Sequence, residues 1–152
     1  MEVTALIALH LLEVHIGNNW TDVDLSGTLE DVTADEAFTV TAASPNTIAS
    51  LLHHISWWNY HMIGRINGVE GNIPASNGFD IPENMDWQQI KDENIISAHE
   101  LATAIREFDV TRLEQPILPG YSSAYKNLQG SVEHVHYHLG QIVIIKKLLR
   151  QL

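Results

Sequence analysis

Two groups of histidines carry the chemistry this sequence offers. His53, His54 and His61 form one, and His134, His136 and His138 form the other, out of nine histidines in 152 residues. Imidazole is the commonest protein ligand for divalent transition metals. On a helix, each residue turns the side chain by ~100°, so positions i and i+4 differ by only ~40°. His134 and His138 therefore point the same way, one turn apart, and two imidazoles so spaced can reach one ion. His136 is rotated by ~200° from His134 and points elsewhere. Ile142, Ile145 and Leu149 extend the His134/His138 stripe, which places the pair on a core-facing side.

The third ligand has several candidates. His54 flanks the apolar stripe of Leu51, Ile55, Trp58 and Met62, whereas His53 points nearly away from it. His61 lies two turns further on the same side, as the reserve ligand. His10 and His15 stay open on spacing alone. Three neutral imidazoles suit zinc, nickel, copper, cobalt or ferrous iron, and three protein ligands leave positions for water or substrate. The bland alternative is a set of core histidines satisfied by polar neighbours. A zinc peptidase is disfavoured, because Val135, His136 and Tyr137 stand where H-E-x-x-H needs a base. No CxxCH haem signature, Ser-His-Asp arrangement or Gly-rich phosphate loop is present.

The elements that must position these residues read as helices. A first helix runs from about Glu2 to Ile16 and stops at Gly17-Asn18-Asn19. A connector, Trp20 to Thr41, carries a capping-box pattern at Thr33 and Glu36. The second helix is expected to start with Ser44 as N-cap and Pro45 at the first helical position, and to end near Asn67-Gly68. The loop from Val69 to Met85 is long enough to cross the end of a bundle and let the third helix run parallel to the second. The third helix spans about Asp86 to Asp109, the last about Ser122 to Leu149. No segment alternates with period two. The expectation is one all-α domain over residues 1–152, with long connectors after the first and second helices.

Composition bounds the function. The absence of cysteine excludes disulfides, thiolate metal sites and cysteine nucleophiles. A net charge of −11 argues against nucleic-acid binding, and the one basic cluster, Lys146, Lys147 and Arg150, reads as a complement to a helix dipole. The first residues lack the basic lead and cleavage site of a signal peptide, and no apolar run nears the ~20 residues that span a bilayer. A soluble, cytoplasmic protein is expected, with no membrane or nucleic-acid partner.

Three stretches together resemble the DinB family of small metal-binding bundles, which includes YfiT-like and bacillithiol-transferase-like proteins. SPNTIASLLHHISWW, from Ser44 to Trp58, is similar to the family's second helix, whose ligand histidine precedes an aliphatic residue; that register selects His54, followed by Ile55. His134-Val-His-Tyr-His138-Leu-Gly-Gln141-Ile142 resembles the signature H-x-x-x-H-x-G-Q-I. Trp20 to Ala37 resembles the connector after the first helix. The resemblance implies a four-helix bundle of up-down-down-up order and one divalent ion, nickel or zinc, on His54, His134 and His138. It also implies homodimers, a small-molecule substrate and, in some relatives, transfer of a low-molecular-weight thiol such as bacillithiol, mycothiol or glutathione.

Other residues are expected to support the site. Gln141 lies near the ligand stripe and could orient bound water, or be an edge-of-bundle polar residue. Asn94 and Ser97 face inward on the third helix, as pocket lining or as a packing seam. Trp57 and Trp58 read as core and pocket wall, with Trp58 the core member. Gly140 allows a close helix approach or is merely tolerated, and Tyr137 packs or meets a partner subunit. The expected function is a metal-dependent enzyme that activates a thiol or water against a small electrophile. The alternatives are a non-catalytic metal-binding stress-response or interaction protein and a metal-dependent hydrolase.

Overall fold

The computed structural model describes residues 1–151. Its long elements are α1 (Val3–Ile16), α4 (Ile48–Ile66), α5 (Trp87–Glu107) and α6 (Ala124–Arg150). Two short helices, α2 (Leu25–Leu29) and α3 (Ala34–Ala37), lie in the first connector, and a 3₁₀ turn covers Val110–Arg112. Among the described residues there is no strand, only isolated bridges between Thr41 and Ser44 and between Pro116 and Ser123. The chain is all-α. No described helix is long and apolar enough to cross a membrane.

Local chemistry explains where the helices begin. Thr33 and Glu36 form the expected capping box at α3. α4 begins later than the sequence suggests: its cap is Thr47, not Ser44. The Thr47 hydroxyl accepts from the Ser50 backbone at 3.1 Å, and Ser50 Oγ accepts from the Thr47 backbone at 2.8 Å. This reciprocal pair satisfies two orphan amides at once. Ser44 instead accepts from the Asn46 amide at 3.0 Å, closing a turn before the helix. Asp86 and Gln89 repeat the capping box at α5, and Ser123 caps α6. The α2 turn, absent from the sequence expectation, is capped by Asp24. It is too short to show a period.

The four long helices pack in a ring, α1 against α5 and α6, and α4 against α5 and α6. Paired side chains show relative direction. Ser56 meets Asn94 and Asn59 meets Ser97, the same step on both helices, so α4 and α5 run the same way. His54 meets His134 while Arg65 meets Asn127, so α4 and α6 run oppositely. Leu11, Leu51, Ile55, Ile90, Leu101 and Ile142 are fully buried between the helices. Each such side chain contributes about 1.5–3 kcal/mol relative to its exposed state.

Lys146 and Arg150 do more than complement a dipole. Lys146 Nζ lies 2.6 Å from Asp31, and Arg150 bridges Asp31 at 2.6 Å and Glu36 at 2.9 Å. The end of α6 is thereby tied to the first connector. α1 is apolar on both sides: Ile7, Leu11 and Val14 are buried, while Val3, Leu6, Leu9 and Ile16 are exposed.

Candidate metal centre

His134 and His138, one turn apart on α6, turn their rings toward α4, where His54 is buried in mid-helix. The Nε2 atoms of His54 and His134 are 3.0 Å apart, and so are those of His138 and His134. One nitrogen from each ring lies within 4.8 Å of the others, so the three residues form a group that could hold a metal ion.

The outer nitrogens decide what the inner ones present. His54 Nδ1 donates to the Asn77 carbonyl at 2.6 Å, and His138 Nδ1 donates to Gln141 Oε1 at 2.6 Å. Both oxygens can only accept, so both rings carry their proton on Nδ1 and turn a bare Nε2 lone pair inward. His134 Nε2 has at most one proton for two neighbours. With three neutral rings, at least one of the 3.0 Å contacts therefore sets lone pair against lone pair. A cation among the three nitrogens removes that conflict. Zinc–nitrogen bonds of about 2.0–2.1 Å at angles of about 90–110° separate two nitrogens by about 2.9–3.4 Å, and the 3.0 Å spacings fall in that range. The donor set fits a divalent ion.

Burial keeps the rings neutral. Desolvation pulls His134 down to about 3, with His138 and His54 adding repulsion. His54 is lowered to about 4, first by desolvation and against the opposing bond to Asn77. Desolvation also lowers His138, against its bond to Gln141. Neutral imidazole is the form that binds metal.

One wall of the centre comes from a segment with no sequence signal for it. Asn77, Gly78 and Phe79, in the loop after α4, fold back over that helix. Phe79 stacks on His54 with ring centroids 3.9 Å apart and planes within 4°. His53 Nδ1 donates to the Gly78 carbonyl at 2.8 Å, and Trp58 Nε1 donates to Asn77 Oδ1 at 3.2 Å. Asn77 and Gly78 adopt φ of 53° and 78°. A Cβ on Gly78 would lie 2.7 Å from Trp57 Cγ, so this approach requires glycine.

The histidines open onto a cavity of about 580 Å³ between α4 and the first half of α6, lined also by Trp58, Met62, Phe79, Lys126, Asn127 and Tyr137. This is within the usual size for a small-molecule pocket. Trp58 is not a core residue: it is half-buried and forms this wall. Tyr137, 65% exposed, packs edge-on against His138 at the rim.

A family model for the DinB superfamily matches residues 19–142. The chain belongs to the DinB superfamily. Neither a curated protein nor a solved structure gives a match. The DinB match covers His54, Asn77, His134, His138 and Gln141, and it leaves α1 outside.

The other candidates lie apart from the centre. His61 stacks on Trp57 at 4.9 Å, beside Gly71. His136 meets His10, their Nε2 atoms 3.5 Å apart. His15 is fully buried at the end of α1, its Nδ1 donating to Asn94 Oδ1 at 3.0 Å. Asn94 in turn donates to Ser56, and Asn59 donates to Ser97. Asn94 and Ser97 thus sit in a polar seam between α1, α4 and α5 and touch none of the three clustered histidines. Asn59 alone links that seam to the cavity. Around Gly140 there is open space and no approaching helix.

Proposed function

We propose that this DinB protein is a metal-dependent enzyme in which His54, His134 and His138 hold one divalent ion, nickel or zinc, and in which a low-molecular-weight thiol is activated against a small electrophile. The observation that carries this is the inward convergence of three Nε2 atoms, two of which, on His54 and His138, are held as inward lone pairs by outer partners. An ion there lowers the pKa of a thiol or a water and supplies a nucleophile at neutral pH. Asn77 and Gln141 fix two of the rings in tautomer and orientation. Phe79 and Trp58 keep water from one side of the rings, which strengthens electrostatics in the cavity. No Asp or Glu lines the cavity. The cavity thus offers no carboxylate base for either reaction, and thiol transfer, which the DinB resemblance implies for some relatives, is placed ahead of hydrolysis.

The same proposal includes a homodimer. Val3, Leu6 and Leu9 on α1 and Ile144 and Leu148 on α6 are exposed apolar side chains that a second copy would cover. A cytoplasmic location would supply the thiol. Sedimentation tests the dimer.

Metal analysis of purified protein tests the core of the reading, followed by thiol-dependent turnover of chlorodinitrobenzene. About one nickel or zinc ion per chain, lost in His134→Ala and His138→Ala, is expected. Protein that contains no metal and takes up neither ion would sink it. Occupied metal with cobalt-substituted bands indifferent to thiols would favour a non-catalytic metal-binding module.

A further inference from the structure

The chain carries 19 acidic and 8 basic residues, yet none of the acidic ones lines the histidine cavity and Lys126 does. Among the described residues Lys126 makes no ion pair. A second cation stands behind the same wall. The Arg65 guanidinium lies 5.5 Å from the Trp58 ring and 4.8 Å from the Tyr121 ring, and Nη1 donates to Asn127 Oδ1 at 3.2 Å. Among the described residues Arg65 also has no carboxylate within ion-pair reach, and its Nε is buried without a partner. Glu70 is close by, but it accepts from the Tyr121 hydroxyl at 2.9 Å. Lys126 and Asn127 lie in the first turn of α6, whose partial positive charge adds to both cations. An acidic protein has thus kept its carboxylates out of one cavity and left cations at its wall.

On the footing that the three histidines hold an ion, we propose that the small molecule entering the cavity bears a carboxylate or similar anionic group, seated by Lys126 at the end remote from the histidines. Arg65 acts through the wall: held by Asn127 and two aromatic faces, it raises the potential where that group rests. Trp58 and Met62 cover the uncharged middle of the molecule. The site would then discriminate by charge, admitting anionic thiols or electrophiles over neutral and cationic ones.

The test uses cobalt-loaded protein and three thiols of similar size: 3-mercaptopropionate, 2-mercaptoethanol and cysteamine. Binding is read from the cobalt–thiolate band. The expected order of affinity is anionic, neutral, cationic. The anionic-to-neutral ratio should fall about three- to tenfold in Lys126→Gln, reverse in Lys126→Glu, and stay as in the wild type in Lys147→Gln, an exposed control on the same helix. Raising salt to about 0.5 M should shrink the wild-type ratio. An equal ratio in wild type and Lys126→Gln, with all thiols binding, overturns the charge-selective site and leaves the metal centre standing. Absence of any cobalt–thiolate band overturns the thiol reading and this inference with it.

Discussion

Gln141 lies one turn beyond His138 on α6, with its side-chain oxygen 2.6 Å from Nδ1 of the imidazole. The bond holds one ring with its lone pair turned inward. Outer partners of this kind change metal affinity by about 10–100-fold when removed. Gln141→Leu should therefore weaken zinc or nickel binding by that factor while the helix content stays the same. Competition against a chromophoric chelator, with circular dichroism alongside, measures both. Unaltered affinity would remove Gln141 from the site.

Gly78 faces Trp57 with no room for a methyl group and with a φ that favours glycine. Gly78→Ala should cost about 1–3 kcal/mol in urea unfolding. It should also weaken metal binding, because the displaced segment carries the Asn77 carbonyl and the Phe79 ring. Trp57→Ala in the same chain should restore part of the metal affinity. Full stability and affinity in Gly78→Ala would show that the loop is not needed.

Helical spacing made His134 and His138 legible as a pair and showed His136 pointing away. It placed His54 beside the core stripe without separating it from His61. That choice turns on tertiary facts, since His61 is taken up by Trp57 and Gly71. α4, α5 and α6 are readable from their periods, α1 from its apolar run and the Gly17 stop, and the short α3 from Thr33 and Glu36. The start of α4 was misplaced because Ser44-Pro45 and Thr47-x-x-Ser50 are competing signals, and the reciprocal bonds decide between them. Asn77, Gly78 and Phe79 were illegible as site residues because an irregular loop has no period to say which side chain turns inward. Asn94 and Ser97 were correctly inward, but their partners came from α1 and α4, which spacing within α5 does not show.

Acid should destabilise the metal-free protein in part through His15, alongside His54 and His134. The His15 pKa is lowered from 6.5 to about 4, chiefly by burial. The unfolded chain therefore binds the extra proton first as pH falls, and the contribution is full above 6.5 and lost progressively toward 4. It amounts to about 3 kcal/mol. The ring's Nε2 is buried without a partner, so no internal acceptor rescues the charged form. His15→Phe should flatten the fall in melting temperature between pH 6.5 and 4. An unchanged pH slope in that variant would count against it.

Asn94 serves His15 and Ser56 together, at 3.0 and 3.2 Å. Asn94→Ala leaves both buried groups short of a partner and should destabilise by about 1–3 kcal/mol. Metal affinity should not follow, since Asn94 touches none of the three clustered histidines. A parallel loss of both would mean that the seam and the centre are coupled.

Asp31 takes both Lys146 and Arg150, which hold its carboxyl well below the usual range. These pairs are exposed and open to salt. Asp31→Asn should leave the melting temperature nearly unchanged but speed amide exchange across residues 25–37. Exchange confined to global unfolding would show that the tie does not hold the connector locally.

His134 and His138 are four residues apart, and His54 is eighty residues from His134. The two-residue half can form as soon as α6 coils, a sub-microsecond event. Adding His54 requires closing the chain across α5 and both flanking loops, with the entropy that closure costs. A cation supplied during refolding would accordingly meet a weak two-point site first and a strong three-point site only at the end. The difference between early and late affinity would make the ion a clock for the order in which this bundle assembles.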